Sequence, residues 1–292
     1  MGSNKATIVI TTKNRREDLR PAVESALSQM APVEVMVVDD GSSDGTSDLV
    51  RMNFPEVNLI THSDSRGLIV RRNEAASLAS GDVIFSIDDD AVFSSPRVVG
   101  QVLAQFSDPR IAAVAIPFRE PKKGDQSFQT APDSAAVWIT NTFIGTAYAV
   151  RKDVFLELGG FCEALVHQGE ESEFCMRLMA RGRVVRLGFG DGIIHYESPK
   201  RDFSRMDFFG ARNQLLWVWR FTPGWYLPMQ MIGTVLQTVR FAGSLRREHR
   251  QYDGLRAAFG EILRGWQRSP VSWALFQRFR RLRYRPERLD GW

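Results

Sequence analysis

The sequence predicts an α/β fold: a mostly parallel central sheet flanked by helices, followed by a helical C-terminal extension of different composition. Three observations carry this expectation. First, short β-branched apolar runs alternate with amphipathic stretches through residues 6 to 116, the pattern of consecutive βαβ units. Second, polar residues collect where those runs end, at Thr11, Asp39-Asp40 and Asp88-Asp89-Asp90. Open α/β sheets bind ligands at the carboxyl ends of their strands, so these residues converge on one crevice. Third, charge is divided along the chain. Residues 240 to 292 hold 13 Arg against 5 acidic residues, net +8, which leaves residues 1 to 239 at net −4. The boundary is read as residues 1–220 for the main domain and 221–292 for a basic, aromatic-rich extension.

The elements follow in order. Residues 6 to 11 (Ala-Thr-Ile-Val-Ile-Thr) read as a buried strand, then a loop through Arg16 and a helix over about 17–30. Strands are expected at 33–38, 57–61, 83–87 and 111–116, with helices at 44–53, 68–79 and 96–106 between them. Residues 120 to 133 read as a mobile polar loop. Strand-like segments around Gly145 precede a helix at 153–158, which Gly159-Gly160 stops. The acidic run Gly169-Glu170-Glu171-Ser172-Glu173 opens a further helix, where carboxylates suit the positive end of the macrodipole.

Composition removes several classes of function. With 43% hydrophobic residues in 292, the chain can build a sizeable core. Cys162 and Cys175 form no Cys-x-x-Cys pair, and no signal peptide is evident, which points to a reducing cytoplasm rather than a disulfide scaffold or zinc site. No GxGxxG fingerprint follows a strand, so a dinucleotide-dependent oxidoreductase is disfavoured. The most apolar stretch, from Trp225 to Leu245, is interrupted by Pro228, Gln230, Gln237 and Arg240 and does not make a clean transmembrane helix.

The cluster Asp88-Asp89-Asp90 needs a counter-charge, because adjacent carboxylates raise one another's pKa. Period-2 alternation at a strand end turns Asp88 and Asp90 to one side and Asp89 to the other. Such an Asp-x-Asp pair suits Mg2+ or Mn2+, completed by substrate phosphates. The plain alternative is a solvated acidic turn.

The order of these pieces resembles the inverting family 2 glycosyltransferases with the GT-A fold. The resemblance rests on Val9 to Arg15, Val37-Val38-Asp39-Asp40-Gly41-Ser42, Arg72-Asn73, Asp88-Asp89-Asp90, Gly145-Thr146-Ala147, Gly159-Gly160-Phe161 and Gly169-Glu170-Glu171, and it covers about residues 6 to 215. It implies a GT-A catalytic domain, a nucleotide-sugar donor and a divalent metal. By resemblance, Thr11 and Asp40 contact the base, Asp39 supports the neighbouring loop, Arg72 orients the nucleotide loop, Asp88 contacts the ribose, and Asp90 and His195 ligate the metal. A carboxylate at Asp40 accepts from an imide N–H, which favours a UDP- or dTDP-sugar, although guanine also offers an N–H. Glu171 occupies the position of the catalytic base, with Glu170 as the alternative; its helix N-terminus favours ionisation at neutral pH while Glu170 and Glu173 oppose it. Arg177 is expected as a brace, and Arg212-Asn213 as a diphosphate contact or a closing element.

The expected partners are a nucleotide-sugar donor and a glycan or lipid-linked acceptor, as in cell-surface polysaccharide assembly, with no nucleic acid. Arginines set among Trp266, Trp273, Phe276, Phe279 and Tyr284 suggest an anionic membrane surface touched through residues 240–292, hence a cytoplasmic protein peripheral to the inner face of the plasma membrane. Pairing of two tails into a homodimer is the competing reading. Two functional rivals remain, a sugar nucleotidyltransferase and a catalytically silent nucleotide-sugar-binding scaffold. The first is disfavoured because Thr11-Thr12-Lys13-Asn14 lacks the glycines such a loop needs.

Overall fold

The computed structural model describes residues 5–124, 126–196, 202–244 and 250–292. Three successive βα units come first: β1 (Ala6–Thr12), α1 (Arg16–Leu27), β2 (Val33–Asp39), α2 (Thr46–Asn53), β3 (Asn58–Thr61) and α3 (Leu68–Leu78). Strand β4 (Val83–Asp88) then delivers the acidic cluster. All seven residues of β1 are buried, as expected of a β-branched central strand covered by helices on both faces, whereas β3 lies at the sheet edge and is partly exposed.

Beyond β4 come β5 (Ala91–Phe93), α4 (Val98–Leu103), β6 (Ile111–Ala115), β7 (Phe118–Arg119), β8 (Ser127–Phe128), β9 (Trp138–Thr140) and β10 (Tyr148–Arg151). Helices α5 (Lys152–Glu157) and α6 (Glu170–Ala180) follow, and then β11 (Val184–Leu187) and β12 (Ile193–His195). The α/β fold is as expected, and the central sheet is mixed around a parallel core. Strands β4-β1-β2-β3 run parallel, as do β6 and β11, but β10 inserts antiparallel between β4 and β6. A second sheet, ordered β5-β12-β7-β8, stands over the strand ends. It is built partly from residues 120 to 133, expected as a mobile loop, which fold into a 3-10 turn at Pro121–Lys123 and the strand β8.

The C-terminal part comprises α7 (Phe203–Phe221), α8 (Leu227–Ser244), α9 (Arg250–Leu263), α10 (Trp273–Leu282) and β13 (Glu287–Arg288). Helices α7 and α9 share a small core of Ala211, Leu215, Leu216, Leu255 and Ala258. Their backbones approach so closely at Gly254 that a Cβ there would sit 2.2 Å from the Phe208 carbonyl oxygen. The extension also joins the main body. Phe279, Leu282 and Leu289 enter the principal core, and β13 pairs with β9 through Glu287↔Ile139 and Arg288↔Trp138. Arg278 and Arg281 clamp Glu287 at 2.8 and 2.7 Å, which fixes that edge.

Candidate active site

The parallel register aligns the polar strand ends. Thr11 stands opposite Asp88, and Thr12 opposite Asp39, so three neighbouring strands present their side chains along one line. Asp39 turns into its own loop, accepting from the Ser42 amide at 2.9 Å and from the Ser47 hydroxyl. Asp40 is the anchor of a different loop. Its two oxygens accept from Ser65 Oγ, the amides of Arg66 and Gly67, and Arg71 Nε, all between 2.5 and 2.9 Å. Burial alone would raise its pKa, but these donors more than offset it and hold the carboxyl below its ordinary value. A carboxylate offers about four lone-pair sites, so Asp40 has its full complement of donors. Thr11 differs: its hydroxyl is buried without a partner.

The chain reversal after β4 separates the three aspartates. Asp89 turns toward β1 and accepts from Thr12 Oγ1 at 2.8 Å, while Asp88 and Asp90 face a third group, His195. That histidine arrives by β12, whose register sets His195 opposite Ala91, next to the cluster. Burial raises the Asp89 pKa to about 7, helped by Asp88 and Asp90 and opposed by the Thr12 hydroxyl. One ligand atom each from Asp88, Asp90 and His195 lie within 4.8 Å of one another. His195 Nε2 is 3.2 Å from Asp90 Oδ1, and Nδ1 is 3.0 Å from Glu120 Oε1. Metal-bound imidazoles usually hand their second nitrogen to a carboxylate in this way, which orients the ring and raises its basicity. Burial lowers the pKa of His195, but Asp90, Asp88 and Glu120 outweigh it and raise it overall. Two carboxylates and one imidazole fit a divalent cation, and the nitrogen donor favours Mn2+ over Mg2+.

The second half of the site is the start of α6. The approach to this helix is conformationally unusual: Val166 and Gln168 have φ of 64° and 67°, and Gly169 has 86°. Two such non-glycine residues in sequence persist only where the surroundings over-determine them. Here the side-chain amide of Asn213 reaches the carbonyls of Leu165, His167 and Gln168 at 2.7 to 2.9 Å, and Arg212 holds Asn213 Oδ1 and the Ala164 carbonyl. Arg212-Asn213 therefore clamps the loop that presents the glutamates. Arg177 braces the far side, binding Glu173 at 2.7 and 2.8 Å and the carbonyls of Leu158 and Gly160.

Arg72 joins the two halves. This buried guanidinium donates through Nη2 to Asp88 Oδ1 at 2.8 Å and to the Gly145 carbonyl at 2.9 Å, and its Nη1 lies 3.9 Å from Glu170 Oε1. Gly145 permits this closeness, since a Cβ there would stand 2.6 Å from Glu171 Oε1 and 2.7 Å from Arg72 Nη1. Glu170 Oε2 is buried and unpartnered. Burial raises the Glu171 pKa to about 8, with Glu170 adding to the rise and Arg72 opposing it; Glu170 is raised by the same burial. Glu171, expected to be ionised at neutral pH, is therefore harder to ionise than an ordinary glutamate. Desolvation is the reason, and it exceeds the macrodipole that the sequence made visible.

Two cavities meet over these residues. One is bounded by Thr11, Asp40, Arg71, Asp88, Asp90 and His195. The other shares Asp88 and His195 and continues past Glu120, Gly145 and Glu171 to Arg283 and Tyr284 of the C-terminal segment. Glu120 was not singled out as a site residue by sequence. A glutamate in a polar loop carries no periodic signal, and only the pairing of β7 with β12 brings it to the histidine.

Residues 7–161, over half of the chain, match Glycosyl transferase family 2. Among curated proteins, the chain is 33% identical over 101 residues to the succinoglycan biosynthesis protein ExoU of Rhizobium meliloti, covering 34% of this chain and 29% of that one. It is 27% identical over 199 residues to the glucosyl-dolichyl phosphate glucuronosyltransferase of Haloferax volcanii, covering 60% and 63%. Both matches span less than two thirds of the relative's length. The fold resembles a mannosyltransferase from Pyrobaculum calidifontis in complex with GDP-Man and Mn2+, with a TM-score of 0.60, 19% identity and coverage of 96% and 84%. It also resembles S. aureus TarS in complex with UDP-GlcNAc, with a TM-score of 0.63, 16% identity and coverage of 93% and 82%. With the family match running through the strands that carry Thr11, Asp39 and Asp88, and with the solved structures sharing its architecture, the chain belongs to glycosyl transferase family 2 and has the GT-A fold.

Proposed function

We propose that the protein transfers a sugar from a nucleotide-diphosphate donor, with inversion, to a hydroxyl of a glycan or lipid-linked acceptor in cell-surface polysaccharide or glycolipid assembly. The observation that carries this reading is the bridge made by Arg72, which ties the carboxylate group of Asp88, Asp90 and His195 to the helix start bearing Glu170 and Glu171. In this reading residues 1–220 form the catalytic unit and residues 221–292 an extension folded against it.

The donor occupies the first cavity. Thr11, with its unengaged hydroxyl, is the base contact, and Asp88 the ribose contact. Asp40 shapes the base site by fixing residues 65–67, and it binds a ring N–H only by releasing one of its four donors. A preference for UDP- or dTDP-sugars therefore rests mainly on Thr11 and the loop that Asp40 holds. Asp88, Asp90 and His195 hold a divalent cation, Mn2+ or Mg2+, whose chemistry there is to neutralise charge gathering on the departing diphosphate. Glu120 keeps the imidazole oriented.

The acceptor occupies the second cavity, which the Arg283-Tyr284 segment closes on the far side. Glu171 takes the proton from the attacking hydroxyl as positive charge develops at the sugar's anomeric carbon. Its burial suits the task, since a base whose pKa lies near the working pH is a stronger acceptor than an exposed carboxylate. Arg72 balances the negative charge on both sides of the reacting centre.

A thermal-shift panel of UDP-, dTDP- and GDP-sugars, each with and without Mn2+, tests the donor half. A Mn2+-dependent rise with at least one nucleotide-sugar, and slow Mn2+-dependent release of sugar to water, are expected. Binding without any release would favour the silent scaffold, and release of pyrophosphate from a sugar phosphate and a nucleoside triphosphate would favour the nucleotidyltransferase.

A further inference from the structure

Helix α8 keeps an apolar stripe on its outward face. Its inward side carries Leu227, Thr234, Thr238 and Ala242, all buried, with Met231 and Val235 partly buried against the α7–α9 core, and the two threonines turn their hydroxyls back onto carbonyls one turn earlier. Its outward face carries Met229, Ile232, Leu236 and Val239, which are 61%, 62%, 51% and 40% exposed. Their spacing of three, four and three residues makes a single stripe. Trp225, 70% exposed, extends the same apolar surface beyond the N-terminal end of the helix. Exposed apolar residues scattered singly are ordinary, but a contiguous stripe marks an interaction surface.

The charge around the stripe identifies what covers it. Helix α8 has no acidic residue, and its one charged residue, Arg240, lies a turn beyond Leu236 on the flank of the stripe. The sequence that follows adds Arg246, Arg247 and Arg250 against Glu248. We propose that this face of α8 lies in the plane of an anionic lipid surface. Trp225 and the four aliphatic side chains enter the boundary between headgroups and acyl chains, and Arg240 meets lipid phosphates. The contact lies on residues 225–244, and of the aromatic residues further on Phe276 and Phe279 are buried and take no part in it. Among the described residues no helix is long and apolar enough to cross a membrane, so the helix docks and does not span. A second copy of the chain matches the stripe but not the charge. Two such helices side by side oppose arginine to arginine when parallel, and arginine to the positive end of the partner's dipole when antiparallel.

The test uses the whole protein with vesicles of phosphatidylcholine, alone or mixed with phosphatidylglycerol. The protein is expected to sediment with the mixed vesicles, less so at high salt. The double variant Ile232→Asp/Leu236→Asp should lose about tenfold or more of that binding. Because both residues are exposed, its melting temperature and its response to nucleotide-sugar stay those of the parent. Failure of the parent protein to sediment, or equal sedimentation of the double variant, overturns the proposal. So does light scattering that finds a dimer which the double variant converts to a monomer, since the face would then pair two copies.

Discussion

The site holds two acidic clusters, three aspartates and two glutamates, in different settings. Asp88, Asp89 and Asp90 sit at a strand end, partly buried, and each is engaged: Asp88 by Arg72, Asp89 by Thr12, and Asp90 by His195. Glu170 and Glu171 sit at a helix start, where burial dominates and Glu170 keeps an oxygen without a partner. Burial works against ionisation in both clusters, at Asp89 in the first and at Glu170 and Glu171 in the second, while Asp88 and Asp90 face His195. Arg72 touches the first directly at Asp88 and approaches the second only to 3.9 Å at Glu170, so it pairs more closely with the strand end than with the helix start. Environment, and not residue type, assigns the roles.

The contrast can be broken from either side. Glu171→Gln should lower transfer by about a thousandfold, the middle of the range for a general base, with donor affinity in a thermal-shift titration unchanged. The same variant should melt no lower than the parent above neutral pH. A carboxyl whose pKa is raised on folding contributes stability fully present below about 4.5, the ordinary glutamate value, and lost as pH rises through about 8, and glutamine has no proton to lose. Glu120→Gln should weaken Mn2+ by roughly 10- to 100-fold, read as a shift in the Mn2+ concentration that gives half-maximal transfer, with activity restored at saturating metal. For the parent, kcat/KM should rise by about tenfold between pH 7 and pH 9 as Glu171 loses its proton, and a flat profile would exclude it as the titrating base. Asn213→Ala, which frees the loop before α6, should cost a few-fold in kcat with little change in donor KM. Comparable loss of both would mean the clamp serves the donor as well.

Much of the first cluster was legible in sequence because a strand end has simple rules. Alternation predicted that Asp88 and Asp90 would share a side while Asp89 turned away, and the structure has this arrangement. The order of the βα units fixed the parallel core, while the antiparallel entry of β10 followed from a long excursion that periodicity does not describe. The second cluster was legible only as a helix start. Its raised pKa depends on packing around Gly145 and Arg72, residues 26 and 99 positions from Glu171 along the chain. The four donors on Asp40 were invisible for the same reason, since they come from a loop and helix 25 to 31 residues later.

The pairing of β13 with β9 sets an order on the birth of the enzyme. The strands of the nucleotide half all lie within the first 88 residues and can associate while the chain is still being synthesised. The acceptor wall cannot, because Arg283 and Tyr284 take their place only when residues 287 and 288 have emerged to close on β9. A nascent chain would hold its donor cavity before it could hold anything to glycosylate. Proteolytic nicking near residue 285 should leave a protein that still binds nucleotide-sugar and spends it on water.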